Sequence, residues 1–234
     1  MKKKYVFNRV QGLKFLYENF PSFYRKDRIE LYFVSSKSEP LALKVPEDFD
    51  TLVLKRSANK TFISDIKFKD NRFFKSFDEL KVGSDEFQDI FDFCVECHRF
   101  KTGESYYTDR LAIAQFSTKY LTDTYDRINF IPSRVPGVNT RENMPYLEVE
   151  FHNNFGSMYN IKSCNQEQLY NNGFTSYSIS FLVQEIHKMI DRIRDYLIEL
   201  GVYDDFQLII RIDGYLNLLP IDFRTPNAWA KVGG

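Results

Sequence analysis

The chain of 234 residues is poor in cysteine, histidine and tryptophan, and it has no excess of charge of either sign. Three cysteines cannot all pair, so a disulfide framework is not expected. A reducing, cytoplasmic location is the simplest expectation. Lysine plus arginine and aspartate plus glutamate both number 32, so no overall field attracts polyanions, and a dedicated nucleic-acid binder is disfavoured.

Long apolar runs are also lacking. No stretch approaches the ~18 apolar residues that a membrane span requires. The basic start of the chain is followed by Asn8, Arg9 and Gln11, which interrupt any apolar run of signal-peptide length. We therefore expect neither a membrane anchor nor an export signal.

Aromatic side chains are present in excess, at 17%, with 23 Phe and 15 Tyr against one Trp. They carry a large apolar area and can build a core where aliphatic residues are sparse. Together with many Asn, Lys and Ile residues, they indicate the compositional bias of an AT-rich genome, such as that of a low-GC bacterium or a virus.

Hydrophobic periodicity divides most of the chain into helices and strands. Helical spacing predicts helices at residues 8–19, ended by Pro21, and at residues 85–98. Short or alternating apolar runs predict strands at residues 28–34, 51–55, 61–68, 110–116, 127–132 and 146–151. A long Pro/Gly loop over 133–145 separates the last two strands, and the polar stretch 153–176 is predicted to be irregular.

The last fifty residues give the clearest pattern. Apolar residues from Ile179 to Leu200 recur at helical spacing for about six turns, and Gly201 supplies a stop. A strand at 206–212, a turn at Asp213-Gly214 and a returning strand at 215–223 predict a hairpin. Pro220 indicates that the returning strand lies at an edge or contains a bulge.

These elements predict an α+β fold in which mixed, mostly antiparallel sheets carry one long helix from the C-terminal half. We expect a single domain over 1–234, with two lobes, 1–105 and 106–234.

Three constellations of reactive residues invite a chemical interpretation. Cys94-Val95-Glu96-Cys97-His98 matches the haem-attachment pattern, but no export signal accompanies it, and Cys94 lies on the apolar side of the predicted helix. A zinc site there would need two more ligands, which Cys164 and His152 could supply without support from the spacing.

The second constellation is a pair of glutamates, and the third would be a nucleophile with a histidine base. Glu148 and Glu150 point to one face of a strand, where they could act as acid and base or bind a metal, or simply form the exposed face of a half-buried strand. No G-x-S-x-G elbow or phosphate-binding glycine loop is present, and His187 is predicted on the solvated side of the long helix.

The order of elements is more informative. A helix (NRVQGLKFLYENFP) precedes a strand that carries a lysine (LVLKRSANK), a later apolar strand (LAIAQF) follows, and a long helix then leads to the hairpin DDFQLIIRIDGYLNLLPIDFRTPN. In this order, over roughly residues 8–68 and 107–230, the chain resembles the ATP-grasp family of carboxylate–amine ligases.

The resemblance implies ATP and Mg²⁺ as cofactors and a small-molecule or peptide carboxylate as substrate. It implies that Lys55 contacts nucleotide phosphates. It also implies that Gln115 through Leu121, with Lys119, forms the adenine hinge. Asp222 and Asn227 would hold the metal. Arg134, Arg141 and Arg224 would orient the substrate carboxylate. The chain departs from the family pattern at Gln207, where an acid is usual, and at Arg224, where asparagine is usual.

Two other functions remain open. The aromatic excess and the lack of a complete catalytic constellation are compatible with a non-enzymatic structural or assembly protein, whose Tyr and Phe side chains contact protein partners. Arginines and lysines in loops, combined with aromatic stacking, are compatible with a nucleic-acid accessory protein, which the balanced charge ranks third.

Overall fold

A computed structural model of the chain describes residues 7–34, 48–58, 72–74, 91–100, 110–119, 125–131, 146–152 and 158–225. The chain forms two compact units. The N-terminal unit comprises Phe7–Tyr106 with Asp222–Gly234, and the C-terminal unit comprises Tyr107–Ile221 with Met1–Val6. The last strand therefore ends in the N-terminal unit, although it begins in the other.

The N-terminal unit opens with helix α1 (Arg9–Asn19), which confirms the predicted first helix. Asn8 caps it: its side chain accepts a 2.8 Å hydrogen bond from the Gln11 amide, and the Gln11 side chain accepts one from the Asn8 amide. This reciprocal pair satisfies two backbone donors that the first helical turn leaves without partners. The helix ends at Asn19 with Phe20 as its C-cap, and Pro21 then begins a short 3₁₀ turn (Pro21–Phe23).

Among the described residues of this unit, four strands form a sheet in the order β1-β4-β2-β3, and their pairings are antiparallel. They are β1 (Ile29–Val34), β2 (Thr51–Ala58), β3 (Arg72–Phe74) and β4 (Phe91–His98). The predicted strands at 28–34 and 51–55 are thereby confirmed, whereas that at 61–68 lies outside the described residues.

The helix predicted over 85–98 is wrong from residue 91 onwards, because this segment is the inner strand β4, paired with β1 on one side and β2 on the other. Both its faces are buried from Phe93 to His98. A strand that is buried on both faces shows no alternation of apolar and polar residues, so periodicity alone cannot distinguish it from a helix.

The described part of the C-terminal unit contains a sheet of six strands in the order β10-β9-β5-β6-β7-β8. Its strands are β5 (Arg110–Ser117), β6 (Tyr125–Ile131), β7 (Leu147–His152), β8 (Tyr159–Cys164), β9 (Asp205–Ile212) and β10 (Leu218–Arg224). The pairings of β5 with β6 and β9, and of β7 with β6 and β8, are antiparallel. The predicted strands at 110–116, 127–132 and 146–151 are confirmed, and the loop at 133–145 lies outside the described residues.

The prediction of irregular structure over 153–176 is wrong from residue 159 to residue 171. Residues there form β8 and the short helix α2 (Gln166–Asn171). Strand β8 lies at the edge of the sheet with its side chains largely exposed, so it needs no apolar alternation, and its sequence gives no strand signal.

The long helix α3 (Ser176–Glu199) confirms the predicted closing helix. Thr175 and Ser178 form its capping box, and Gly201 ends it with a φ of +69°. Its apolar side is buried and contacts β5, so the predicted fold class, α+β with antiparallel sheets and a long helix packed on them, is confirmed. Neither α3 nor any other described helix combines the length and apolarity needed to cross a membrane.

The hairpin between β9 and β10 turns differently from its prediction. The buried Asp213 carboxylate accepts hydrogen bonds from the amides of Tyr215 (2.9 Å) and Asn217 (3.0 Å), and Leu216 adopts the positive φ. The turn is therefore organised by an aspartate side chain over several residues, and β10 starts at Leu218 rather than Tyr215. Pro220 lies in the edge strand β10, as expected.

A close approach inside the N-terminal unit yields a stability prediction. A Cβ on Gly12 of α1 would lie 1.7 Å from the backbone oxygen of Phe223. We expect Gly12→Ala to lower the free energy of unfolding by about 2 kcal/mol or more, although alanine favours a helix by about 1 kcal/mol. Chemical denaturation of both proteins measures the difference.

Gly201→Ala is the matched control. Its Cβ would meet nothing within 4 Å, so only the positive φ opposes it, at a cost of about 1 kcal/mol. Equal stability of Gly12→Ala and the wild type would show that α1 does not approach β10 this closely.

Candidate functional site

A buried cluster of charged side chains in the N-terminal unit forms around Lys55. Lys55 on β2 lies directly opposite Cys94 on β4, and Glu96 and His98 follow on the same face of β4. The Lys55 Nζ lies 2.5 Å from Glu96 Oε1, and His98 Nε2 lies 3.0 Å from Glu96 Oε2. Lys55 is 2% exposed and Glu96 is completely buried, so both charges are held away from water.

The two charges stabilise each other against burial. Burial alone would raise the pKa of Glu96, but the attraction of Lys55 and the hydrogen bond with His98 outweigh it and lower this pKa from 4.5 to about 2. Burial lowers the pKa of Lys55, against the attraction of Glu96 and Asp222. Burial also raises the pKa of the neighbouring Cys94 thiol, so Cys94 is not poised as a thiolate nucleophile.

Asp222, at the end of β10, joins this cluster. Its Oδ2 lies 2.8 Å from Arg9 Nε, and its Oδ1 lies 3.9 Å from Arg224 Nε. Its carboxylate is near enough to Lys55 to oppose the fall in the pKa of that lysine. Asp222 is 3% exposed, and its Oδ1 has no hydrogen-bond partner within the described part of the chain.

The structure thus brings together three residues that the sequence resemblance had singled out: Lys55, Asp222 and Arg224. We call them, with Arg9, Glu96 and His98, the Lys55–Asp222 cluster. Three cations and two carboxylates leave it one positive charge when His98 is counted as neutral. Such a cluster favours an anionic ligand.

The other predicted site residues lie elsewhere or outside the described residues. Gln115 on β5 is exposed, opposite Gln207 of β9. Lys119 belongs to the same C-terminal unit, where its Nζ is held by Asp204 (2.9 Å) and Asp205 (2.7 Å). Arg134, Arg141 and Asn227 fall outside the described residues.

Sequence reasoning missed Arg9, Glu96 and His98. Glu96 and His98 are two residues apart, which places them on one face of a strand but not of a helix, so the helix prediction concealed them. The same geometry places Cys94 and Cys97 on opposite faces of β4. This arrangement explains why the Cys-x-x-Cys-His pattern provides no paired thiolates for haem or zinc.

Of the pair Glu148 and Glu150, Glu150 forms ion pairs with two neighbouring strands' cations. Glu150 is nearly buried, and its two oxygens lie 2.9 Å from Arg127 Nε and 2.8 Å from Lys162 Nζ. The hydrogen bond with Lys162, together with that from Arg127, lowers the pKa of Glu150. A carboxylate that is held by two cations is a poor general base.

Comparison with known proteins finds similar chains among solved structures. No protein-family model and no curated protein sequence matches the chain. Among solved structures, it is similar to D-alanyl-alanine synthetase A from Vibrio cholerae, with 9% identity and a TM-score of 0.46 over 98% of this chain and 60% of that one. It is also similar to the D-alanine-D-alanine ligase from Coxiella burnetii, with 12% identity and a TM-score of 0.37 over 88% of this chain and 48% of that one.

The chain therefore spans at most 60% of the length of these two ligases. At such identities and TM-scores, the similarities carry no inference about what this chain does.

The buried pair yields a prediction about stability. Glu96→Gln leaves the Lys55 charge buried without its main partner, so we expect the free energy of unfolding to fall by about 3–5 kcal/mol near neutral pH. Glu18→Gln is the control, because Glu18 makes only an exposed, 3.9 Å pair with Lys14, worth about 0.5 kcal/mol or less.

The pH dependence of this effect follows from the sign of the shift. The pKa of Glu96 is lowered in the folded state, so its contribution is complete above about pH 4.5, the unfolded value, and is lost as the pH falls towards about 2. The stability difference between wild type and Glu96→Gln should narrow over that window, as measured by urea titrations at several pH values. A difference that is independent of pH between 2 and 7 would contradict the ion pair.

Proposed function

We propose that the chain is an ATP-dependent ligase of ATP-grasp type, which activates a carboxylate as an acyl-phosphate. The observation that carries the proposal is the Lys55–Asp222 cluster. Lys55 and Asp222 lie far apart in the sequence, and the resemblance gives them phosphate-binding and metal-binding roles. Both are buried in the N-terminal unit, near enough for their charges to interact, in a cluster with a net positive charge.

Lys55 supplies a cation for the nucleotide phosphates. A buried lysine that is fixed by a carboxylate holds its ammonium at a defined point, as the lysine–glutamate pair of protein kinases does. Glu96 fixes the ammonium at 2.5 Å and is itself fixed by His98, so Lys55 would meet a phosphate without a large loss of side-chain entropy.

Asp222 fits the role of a magnesium ligand. Mg²⁺ is commonly bound through one or two carboxylates together with substrate phosphates, and the buried Oδ1 of Asp222, which lacks a hydrogen-bond partner among the described residues, is such a donor. Asn227 would supply a second oxygen. The ion, when bound, would neutralise charge on the transferred phosphoryl group.

The remaining assignments follow the resemblance. Gln115 and Lys119 would contact the adenine, and Arg134, Arg141 and Arg224 would orient the substrate carboxylate. In the reaction, a carboxylate oxygen attacks the γ-phosphorus and ADP leaves. An amine then attacks the acyl carbon, inorganic phosphate leaves and the amine loses a proton. The substrate is a small molecule or peptide with a free carboxylate.

The structure weakens the main argument for an assembly protein. That hypothesis was motivated by the aromatic excess. The largest fully buried side chains of the described residues include many aromatics: Phe93, Phe130, Tyr146, Phe151, Phe174, Phe206 and Phe223. These seven rings therefore serve the two cores, where each ring buries a large apolar area.

Titration calorimetry with ATP and Mg²⁺ tests the proposal. We expect Lys55→Met and Asp222→Asn each to weaken binding about 10- to 100-fold, because each removes a charged contact worth about 1.5–3 kcal/mol. Lys14→Met is the matched control: this lysine is exposed on α1, outside the cluster, and its loss should leave the affinity unchanged.

Absence of ATP binding by the folded wild-type chain, or variant affinities equal to that of Lys14→Met, would contradict the proposed nucleotide site. Circular dichroism of each variant separates lost binding from lost folding.

A further inference from the structure

A second group of potential ligands, different from the residues proposed to bind ATP, lies in the C-terminal unit. Asp126 belongs to β6, whereas His187 and Asp191 are four residues apart on α3 and therefore lie on the same side of that helix. His187 was predicted to be solvated, but its side chain is only 12% exposed and stacks on the Phe151 ring at 3.9 Å between centroids. The prediction is wrong because α3 turns this side chain towards the sheet.

The three side chains converge. His187 Nε2 lies 3.6 Å from Asp126 Oδ2, and His187 Nδ1 lies 3.4 Å from Asp191 Oδ2. One ligand atom from each residue lies within 4.8 Å of the other two. Only one ring nitrogen of His187 can bind a given ion, so the side chains would have to shift to reach the separation of about 3.4 Å between two ligands of a tetrahedral zinc ion.

Two atoms of this group lack hydrogen bonds. Asp126 is completely buried, and its Oδ1 has no hydrogen-bond partner among the described residues; the same holds for His187 Nε2. Buried polar atoms nearly always have a partner, and leaving one without costs about 1–3 kcal/mol. Both are atom types that bind zinc, one a carboxylate oxygen and the other an imidazole nitrogen.

Arg194 partly neutralises the group without blocking it. Its Nη2 donates to Asp126 Oδ2, and its Nη1 donates to Asp191 Oδ1 at 2.6 Å. Each aspartate therefore keeps one oxygen that the guanidinium does not use. With two carboxylates and one arginine the group carries one negative charge when His187 is neutral, which favours a cation. Asp191 is 44% exposed and offers a route from solvent.

We propose that Asp126, His187 and Asp191 bind Zn²⁺. One imidazole nitrogen and two carboxylate oxygens are ligand types that zinc accepts, and three protein ligands leave a fourth position for water. The ion joins α3 to β6, and its binding stabilises the C-terminal unit in proportion to its affinity. This site is independent of the proposed ligase activity.

The test is Zn²⁺ binding to the full chain, measured by competition with a chromophoric chelator and by the visible absorption of added Co²⁺. We expect one site on the wild type. His187→Gln and Asp191→Asn should each weaken it about 100-fold or more, since each removes a direct ligand and loss of outer-shell partners alone costs 10- to 100-fold. Circular dichroism checks that both variants fold, because His187 is only 12% exposed and packs on Phe151.

Cys164→Ser is the control, because Cys164 is an exposed thiol that could bind zinc adventitiously. Its affinity should match the wild type. No zinc binding by the wild type, or binding that Cys164→Ser abolishes and His187→Gln leaves intact, would overturn the proposal.

Arg194→Gln provides an independent readout. Loss of the guanidinium leaves two carboxylates without their main partner, so we expect a lower melting temperature without metal and tighter zinc binding than the wild type. Added Zn²⁺ should restore most of the lost melting temperature. A destabilised variant that Zn²⁺ does not restore would show that the group serves only as a structural ion pair.

Discussion

The Lys55–Glu96 ion pair is the interaction on which the N-terminal unit depends. An ammonium ion that is 2% exposed can keep its charge only beside a carboxylate, and a buried carboxylate requires that cation in turn. Their contact fixes β2 against β4, and the hydrogen bond from His98 fixes the remaining oxygen of Glu96. Removal of one partner would leave a buried charge, but replacement of both partners by apolar side chains would cost little stability. A functional role would therefore explain why the chain has a charged pair at this position.

A second ion pair, between Arg9 and Asp222, belongs to the same cluster as the Lys55–Glu96 pair. Helix α1 begins at Arg9, directly after its cap, and Gly12 permits the helix to approach the backbone of Phe223. That approach sets Arg9 2.8 Å from Asp222 at the end of the last strand. The cap and the glycine are local sequence features, and they accompany the contact between Arg9 and a carboxylate from the far end of the chain.

Sequence analysis anticipated the elements whose signals are local. Helix α1 has its capping box at Asn8 and Gln11, and α3 has a long apolar face and Gly201 as its stop, so both could be predicted closely. Strand β4 could not, because its character comes from burial on both faces and from pairing with two strands distant in sequence. The polar edge strand β8 gave no apolar pattern to detect.

The residues of the candidate site also divide into those that the sequence could predict and those that it could not. Lys55 and Asp222 could be proposed from the order of elements, whereas Glu96, His98 and Arg9 could not, because their roles arise from contacts that only the folded chain makes. Asp126 and His187 were concealed for the same reason. Their proximity depends on how α3 packs on the sheet, which no local spacing encodes.

The central claim, that Lys55 faces a nucleotide phosphate, is tested most directly by an acyl-phosphate derivative of ATP, which transfers its acyl group to a lysine beside the bound phosphates. Peptide mass spectrometry locates the modified lysine. The account predicts acylation of Lys55 that excess ATP and Mg²⁺ suppress. Acylation confined to exposed lysines such as Lys14 and Lys188, and unaffected by ATP, would contradict it.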